Sequence, residues 1–320
     1  TVMPKVLTTG ELLIDFSPVQ IPGYKNLLCP NPGGAPANVA VQLSRLGVSS
    51  GFIGKVGRDD FGAQLRACLD ENHVSIKNLI VDPAWKTTLA FVQLDQNGNR
   101  SFTFYRNPGA DTQLKPEEID LSELESCSIL HFGSLALTTD PSRTTTLWLV
   151  KKAREMGKLI SYDPNWRPPL WRSRADAIAE MRKALSYADC VKVSAEELTL
   201  ITGKDTVSAG VEELFSLSPA ALLAVTDGAN GACLSNRRFS VSLPAFRVPT
   251  VDTTGAGDAF YGALLSALLE TGKAPDALTA EELTALLRFA NAAGALSTTR
   301  KGGISAQPVR EDITALVAAP

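Results

Sequence analysis

Apolar residues open the chain as one run and then recur at helical spacing. Residues 6–14 are mostly apolar and are followed by Asp15, which predicts a buried strand that ends at this carboxylate. Residues 36–46 have apolar positions at helical spacing, with a proline near the start and Gly47 after the end, which predicts a helix. The first 47 residues are therefore typical of a strand followed by a helix.

The same alternation continues along the chain. Strand-then-helix units are predicted at residues 51–71, 128–156, 159–187 and 190–202. Repetition of this kind predicts a mostly parallel sheet that is covered by helices on both faces, which is a three-layer α/β/α arrangement. At 320 residues and 44% hydrophobic composition, residues 1–320 are long enough to form this as a single domain.

Two stretches interrupt the alternation. Residues 16–29 are rich in proline and glycine, and residues 87–94 and 100–106 read as strands on either side of Asn97-Gly98, a strong hairpin signal. Together they predict a small antiparallel β-sheet. We expect it to form a lid, made by about residues 12–32 and 86–110, that covers a ligand.

Composition excludes several classes of protein. The net charge of −3 is spread evenly, so no basic face for nucleic acid is expected, and no apolar run reaches the ~18 residues of a membrane span. We therefore expect a cytoplasmic protein. Five scattered cysteines and two histidines argue against a disulfide framework and a histidine-based catalytic site, and neither a P-loop nor a dinucleotide-binding glycine loop occurs.

The most informative segment is residues 248–260, where Gly255, Ala256 and Gly257 precede Asp258 at the start of an apolar helix. Free N–H groups and the helix dipole make such a start an anion site. Asp258 would repel an anion, so its presence suggests a base beside a phosphate, as in phosphoryl transfer to a hydroxyl. Alternatively, the glycines serve close packing and Asp258 is a charge that the helix dipole stabilises. This segment alone is compatible with both interpretations.

Polar residues also follow the predicted strands. Ligands in open α/β sheets bind outside the carboxyl ends of the strands. Such ends are predicted at Asp15, Asp163, Ser194, Thr226 and Asp252.

These residues belong to an ordered series of motifs. Gly33-Gly-Ala-Pro-Ala-Asn38 and Asp252-Thr-Thr-Gly-Ala-Gly-Asp258 resemble the two signatures of the ribokinase or PfkB family of sugar kinases, and within it the fructokinase branch. The resemblance covers nearly the whole length and implies a single ribokinase-like domain. It continues through Gly54-Lys-Val-Gly57, Phe104–Asp111, Asp163–Trp171, Lys192–Glu197 and Thr298–Gly303.

The resemblance implies a set of site residues. Asp258 would be the base, and Gly255, Ala256 and Gly257 the anion hole. Sugar would be bound by Asp15, Gly33, Gly34, Asn38, Phe104, Arg106, Arg167 and Asp258, with Phe104 and Arg106 supplied by the lid. Nucleotide would be bound by Asn165, Lys192, Glu197, Thr226, Gly228, Gly231, Gly257 and Asn291. Taken without the resemblance, Phe104 is equally well read as a hairpin core residue, and Arg167 as a surface loop charge.

The resemblance also implies cations. Ser194-Ala-Glu-Glu197 keeps the glutamate of a family motif but lacks its asparagine, so we expect Glu197 to act on Mg²⁺ through water. A potassium site would be formed by Asp252, Thr254, Ser297, Arg300 and Gly302. Ala306 stands where ribokinases tend to have a hydroxyl, which leaves the dependence on K⁺ open.

The implied activity is ATP-dependent phosphorylation of D-fructose to fructose 6-phosphate. A 2-keto-3-deoxygluconate kinase and a ribosyl-nucleoside kinase are the alternatives within the class. A catalytically silent sugar-binding sensor is the alternative outside it, although such a protein would be expected to lose Asp258 or the anion hole. The sheet edges of a lid need cover, so we expect a homodimer formed through the lid.

Overall fold

The computed structural model describes residues 3–94 and 100–319. Within them, nine strands form a large sheet in the order β13-β12-β11-β10-β9-β8-β1-β4-β5. Neighbours from β11 to β5 are parallel, and β12 and β13 are added antiparallel. The strands of this sheet are β1 (Val6–Thr9), β4 (Ser50–Gly57), β5 (Ser75–Asp82), β8 (Ile129–Gly133), β9 (Leu159–Asp163), β10 (Cys190–Ser194), β11 (Leu222–Thr226), β12 (Ala232–Asn236) and β13 (Ser240–Leu243).

Helices cover both faces of the large sheet. Alternate strand residues point to opposite sides, so Leu7 and Leu130 join one core while Val6 and Ile129 join the other. The first core includes residues of α4 to α7, and the second includes residues of α1, α8 and α9. The helices are α1 (Ala35–Arg45), α2 (Asp60–Glu71), α3 (Ser122–Ser126), α4 (Ser142–Glu155), α5 (Arg174–Leu185), α6 (Ala195–Thr202), α7 (Val207–Leu217), α8 (Ala256–Thr271), α9 (Ala280–Ser297) and α10 (Arg310–Ala318). The predicted α/β/α layers and the four strand-then-helix units are confirmed.

The predicted opening strand is wrong in one respect, because residues 6–14 form two strands instead of one. The first strand ends at Thr9, and the chain changes direction at Gly10. Gly10 has a φ of 151°, a value that residues with a side chain rarely adopt. A Cβ at this position would lie 2.7 Å from Cγ of Pro36. Asp15 therefore lies in a second sheet and not at the carboxyl end of a central strand.

The second sheet has four strands in the order β3-β2-β6-β7. They are β2 (Leu13–Val19), β3 (Leu27–Gly33), β6 (Leu89–Leu94) and β7 (Arg100–Tyr105). The outer pairs are antiparallel, as predicted, whereas β2 and β6 are parallel. The prediction of a fully antiparallel sheet fails here because β2 follows β1 and β6 follows β5, and these two strands already run in the same direction in the large sheet. The predicted Asn97-Gly98 turn lies outside the described residues.

In the described part of the chain, none of the helices combines the length and the apolar character that crossing a membrane requires.

Candidate functional site

A cleft of about 410 Å³ lies at the carboxyl ends of β10 and β11 and reaches the second sheet. Its wall is formed by residues that are far apart in the sequence, as expected for the ligand side of an open α/β sheet. Thirteen of the predicted site residues line it, namely Asp15, Gly34, Asn38, Phe104, Asn165, Arg167, Lys192, Glu197, Thr226, Thr254, Gly255, Gly257 and Asp258.

Helix α8 begins at this cleft. Its N-cap, Gly255, has a φ of 77°, a left-handed conformation that favours glycine. A Cβ there would lie 3.1 Å from both Nε2 of Gln307 and Cα of Gly303, so the loop also passes close to the segment after α9. The first N–H groups of a helix have no partner within it, and Gly257 lines the cleft. This geometry is suited to binding an anion.

Asp258 lies in the first turn of α8 and is buried, with 7% of its surface exposed. Nδ2 of Asn38 donates a 2.7 Å hydrogen bond to Oδ2 of Asp258. Asn38 is itself buried and therefore does not lie on a solvated face of α1. Burial, together with the nearby charge of Asp163, raises the pKa of Asp258 to about 6, although Asn38, Lys192 and Arg167 oppose the shift. A carboxylate with this pKa accepts a proton near neutral pH more readily than an ordinary aspartate does.

Asp15 reaches the cleft from β2. Burial raises its pKa to about 7; Arg167 opposes this shift, and Asp252 and Asp258 add to it. Gly33 pairs with the strand that carries Asp15, and a Cβ at Gly33 would lie 2.4 Å from Oδ2 of Asp15. Gly33 therefore leaves room for the carboxylate instead of lining the cleft itself.

Glu11 is a cleft residue that the sequence analysis missed. It is buried, and its Oε1 accepts a 2.9 Å hydrogen bond from the N–H of Ala35 at the start of α1. Burial raises the pKa of Glu11 to about 7. At Gly34, with a φ of 118°, a Cβ would lie 2.3 Å from the backbone oxygen of Glu11. Residues 6–14 predict a single strand with Glu11 in its interior, so the one signal that the sequence offers is a charged residue inside an apolar run.

Phe102 and Glu196 also line the cleft without having been predicted. The guanidinium of Arg167 lies 5.7 Å from the centre of the Phe102 ring, within the range of a cation–π contact. Phe104 lines the cleft as well, so this part of β7 contributes two aromatic rings to the wall. Phe104 is predicted because it begins the motif Phe104–Asp111, whereas Phe102 precedes that motif and belongs to none.

Glu197 lines the cleft but uses both carboxylate oxygens for backbone contacts. Oε1 accepts from the N–H of Trp166 at 2.7 Å, and Oε2 accepts from the N–H of Ser194 at 2.8 Å. These bonds join the loop after β9 to the start of α6. Asn165 in that loop has a φ of 45° and donates its N–H to Asp163. No group of three or more His, Cys, Asp or Glu side chains suited to a metal is found in residues 3–94 and 100–319.

Arg106 is not among the residues that line the cleft, and its contact with sugar stays a prediction. Its guanidinium donates to Oδ2 of Asp111 at 2.7 Å, to Oγ1 of Thr138 at 2.8 Å and to the backbone oxygen of Leu135 at 3.0 Å. The pair with Asp111 is almost completely buried. These contacts hold the guanidinium inside the protein.

Asn291, Gly228, Gly231 and Ala256 also lie outside the lining of the cleft. Nδ2 of Asn291 donates to the backbone oxygens of Leu243 and Pro244, at 3.4 and 3.2 Å. These contacts join α9 to the segment that begins at the end of β13. The predicted nucleotide contact of Asn291 therefore has a structural alternative.

Asp252 does not follow a strand, because none is present between β13 and α8. Its Oδ1 accepts from the N–H and the hydroxyl of Thr254, at 2.9 and 2.7 Å, and its Oδ2 accepts from the N–H of Gly302 at 3.0 Å. The N–H of Arg300 lies 3.5 Å from the backbone oxygen of Ser297. Asp252 thus ties the loop before α8 to the segment after α9, which contains Arg300 and Gly302, while the predicted ligand Ser297 is the last residue of α9.

Comparisons with known proteins agree with this geometry. Residues 3–310 match the profile of the pfkB family of carbohydrate kinases. Fructokinase-1 of Zea mays is 42% identical, and the alignment covers 98% of this chain and 97% of the relative. A fructokinase from Xylella fastidiosa, solved with bound ATP, superimposes with a TM-score of 0.90 at 34% identity and 98% coverage of both chains. A double mutant of fructokinase from Vibrio cholerae O395, solved with fructose, ADP and a potassium ion, gives 0.88 at 34% identity, covering 98% of each chain.

Proposed function

Because the chain belongs to the pfkB family of carbohydrate kinases, we propose that it is an ATP-dependent fructokinase that converts D-fructose to fructose 6-phosphate. The observation that carries this proposal is the placement of Asp258. It is a buried carboxylate of raised pKa, held by Asn38 at the anion-binding start of α8. A base and an anion site therefore lie next to each other, as the transfer of a phosphoryl group to a hydroxyl requires.

In the proposed reaction, Asp258 accepts the proton of the sugar hydroxyl, and the hydroxyl oxygen attacks the terminal phosphorus of ATP. The bond to the bridging oxygen breaks, and ADP leaves with the electron pair. The N–H groups at the start of α8, from Gly255 to Gly257, stabilise the charge on the transferred oxygens. Asp15 and Asn38 orient the sugar hydroxyls, since carboxylate and amide together offer acceptors and donors.

A coupled assay of ADP release tests the proposed substrate. Fructose, aldohexoses, 2-keto-3-deoxygluconate and a ribosyl nucleoside are compared at equal concentration, and we expect the largest kcat/KM for fructose. A preference for the sugar acid or for the nucleoside would contradict the substrate while keeping the class of reaction. Absence of turnover on the whole panel, with sugar binding retained, would instead support a silent sensor.

The pH dependence of kcat/KM follows from the pKa values of Asp15 and Asp258, about 7 and about 6. Both carboxylates act in ionised form, so activity is expected to fall as the pH drops below about 7, and log(kcat/KM) should approach a slope of 2 below about 6. The two groups interact, so the apparent values belong to the pair. In Asp15→Asn the limiting slope should fall to 1. A slope of 2 in this variant would show that another group titrates.

A divalent cation bound with the nucleotide would neutralise charge on the phosphates as the transfer proceeds. We propose that this cation is Mg²⁺. Glu196 lines the cleft and offers carboxylate oxygens to its water ligands, and Glu197 offers the lone pairs that its two backbone contacts leave over. The described residues form no cluster of three acidic or metal-binding side chains, which fits an ion held mainly by phosphate and water. The solved fructokinase from Vibrio cholerae, bound to fructose and ADP, contains a calcium ion.

A monovalent cation is also proposed, on the basis of the loop joined by Asp252 and of the potassium-bound relative. Ala306 supplies no side-chain oxygen, so we expect activation by K⁺ over Na⁺ that is modest. Asp252→Ala should lower turnover and flatten this response, because a cation at this site strengthens the neighbouring anion site. Rates in potassium, sodium and tetramethylammonium buffers of equal ionic strength provide the measurement. Equal rates in all three would leave Asp252 with a structural function only.

We propose that the second sheet acts as a lid over the sugar. Its strand β7 brings Phe102 and Phe104 to the cleft, and closure would exclude the water that competes with the sugar hydroxyl. Fructose is therefore expected to slow hydrogen exchange in peptides from β2 and β7, while exchange in β9 remains the same. Unchanged protection of β2 and β7 at saturating fructose would contradict a closing lid.

The lid also supports the proposal of a homodimer. Its strands β3 and β7 are edge strands of the small sheet, and such edges need cover. Several large apolar residues are exposed on the same sheet and its connection, namely Ile21, Tyr24, Leu28 and Tyr105. A two-fold pairing of lids would cover these residues in both copies. We also propose a cytoplasmic location, where ATP and free sugar are both available.

A further inference from the structure

Helix α8 carries Asp258 in its first turn and Tyr261 one turn further on. Residues three apart lie on the same side of a helix, and both side chains are buried, Tyr261 with 1% of its surface exposed. The proposed reaction uses Asp258 but gives no function to Tyr261. A buried tyrosine usually finds a partner for its hydroxyl, so the partner of Tyr261 indicates what holds this part of α8 in place.

The partner of Tyr261 is a serine of the central sheet. Oγ of Ser161, on β9, donates a 2.9 Å hydrogen bond to the hydroxyl oxygen of Tyr261. Nδ1 of His131, the residue opposite Ser161 on β8, lies 2.9 Å from the same Oγ. The rings of His131 and Tyr261 also meet edge to face, with 5.4 Å between their centres. These three buried residues form a polar chain that joins α8 to β8 and β9.

This polar chain is uncharged at neutral pH. Burial lowers the pKa of His131 to about 3, and burial also raises the pKa of Tyr261 well above its usual value. Both side chains are therefore neutral, and they add no net charge beside Asp258. The polar chain acts on Asp258 mainly through the position that it gives to α8.

Strand β9 also carries a residue that acts on Asp258. Ser161 and Asp163 are two residues apart on this strand, so both side chains point to the face of the sheet that Tyr261 covers. Burial, and then the charge of Asp163, raise the pKa of Asp258, so Asp163 lies close enough to influence it. Two residues span about 6–7 Å along a strand, and three residues span about 4–5 Å along a helix. The first turn of α8 can therefore meet β9 at both places at once.

From these contacts we propose that Tyr261 is a positioning residue for phosphoryl transfer: its bond to Ser161 fixes the first turn of α8 against β9 and so holds Asp258 where it meets the sugar hydroxyl. The inference rests on the proposed kinase function. Asn38 holds Asp258 from the side of α1, and the bond to Ser161 supplies a second fixed point, on the sheet. Tyr261 neither gives nor takes a proton in the reaction.

The alternative explanation is that the polar chain only satisfies polar groups in the core. Tyr261→Phe keeps the ring and removes the bond to Ser161. Tyr162→Phe is the matched control, because Tyr162 is fully buried on the opposite face of β9 and its hydroxyl has no hydrogen-bond partner among the described residues. Ser161→Ala removes the same bond from the other side, so it provides the test if Tyr261→Phe does not fold.

We expect Tyr261→Phe to lower kcat roughly tenfold, which is less than the ~100-fold that a displacement of about 1 Å can cost. The KM values for fructose and ATP should stay within a few fold. Ser161→Ala should show a similar loss in kcat, and the double variant should lose no more than either single variant, because both substitutions break one bond. Tyr162→Phe should match the parent. All rates are measured well below the unfolding midpoint of each variant, so that the folded fraction does not affect them.

A folded Tyr261→Phe protein with kcat within about threefold of the parent would overturn the proposal, since the polar chain would then serve only the core. Losses that multiply in the double variant would also overturn it, because the two side chains would then act by separate routes. A raised KM with unchanged kcat would place the effect on binding and contradict the positioning of the base. Failure of the parent protein to phosphorylate any sugar would instead contradict the proposed function itself.

Discussion

Replacement of Asp258 by asparagine is expected to lower kcat by about 10²–10⁴-fold, the range that a general base contributes. The substitution keeps the shape of the side chain, and the amide oxygen can still accept the hydrogen bond from Asn38. Sugar and nucleotide affinities should therefore stay within a few fold. Steady-state kinetics gives the loss in kcat, and titration calorimetry gives the two affinities.

Asp276→Asn makes the same chemical change at an exposed position and serves as the control. It is expected to leave kcat unchanged. A kcat for Asp258→Asn within tenfold of the parent would remove Asp258 from the function of base. The charge near the start of α8 would then be explained by the helix dipole, the alternative that the sequence leaves open.

The parent protein and Asp258→Asn should also differ in how their stability depends on pH. The pKa of Asp258 is raised from 3.8 to about 6 in the folded protein, so its ionised form is disfavoured by folding. Protonated Asp258 therefore contributes to the stability of the fold. This contribution is fully present below the unfolded pKa and is lost as the pH rises through about 6. Relative to Asp258→Asn, the parent should thus lose roughly 2–3 kcal/mol between pH 4 and pH 7, as a shift of two pKa units implies. Thermal unfolding across this range measures the difference.

Local pattern was sufficient for the part of the site that is built by consecutive residues. Gly255 to Asp258 lie where an apolar helix starts, and the structure places this start at the cleft. Asn38 was found through a motif, and its position opposite Asp258 depends on the packing of α1 against α8. The alternation of strands and helices likewise predicted the layers of the fold.

Long-range contacts explain what the sequence did not predict. Residues 6–14 read as one strand because nothing in the run shows that Gly10 must pass close to Pro36. The break that results moves Asp15 into the second sheet and brings Glu11 to the cleft. The parallel pairing of β2 and β6 has a similar origin, since it depends on the directions of β1 and β5 and not on the residues of β2 or β6.

Arg106 is the clearest case in which a residue predicted to bind sugar has another place in the structure. Its partners Leu135 and Thr138 are about 30 positions away in the chain, so no local pattern could identify them. Together with Asp111, they connect the end of β7 to the segment after β8. We therefore expect Arg106 to act on the stability of the fold.

Arg106→Leu is expected to lower the free energy of unfolding by about 3–5 kcal/mol, since it leaves Asp111 buried without its charged partner. Arg106→Leu combined with Asp111→Leu should recover most of this loss, because no unpaired charge remains. Arg143→Leu is the matched control: its contact with Asp140 lies on the surface of α4 and is expected to contribute less than about 1 kcal/mol. Urea unfolding of the four proteins gives the comparison.

Kinetics of the same variants distinguishes the two interpretations of Arg106. If it holds the lid from inside, the double variant should regain kcat/KM for fructose together with stability, because the structure places the guanidinium outside the cleft. If it binds sugar, as the family resemblance implies, the KM for fructose should rise at least tenfold in both variants while stability is regained in the double one. A stable Arg106→Leu protein with such a KM would show that the guanidinium leaves Asp111 and turns to the sugar when the lid closes.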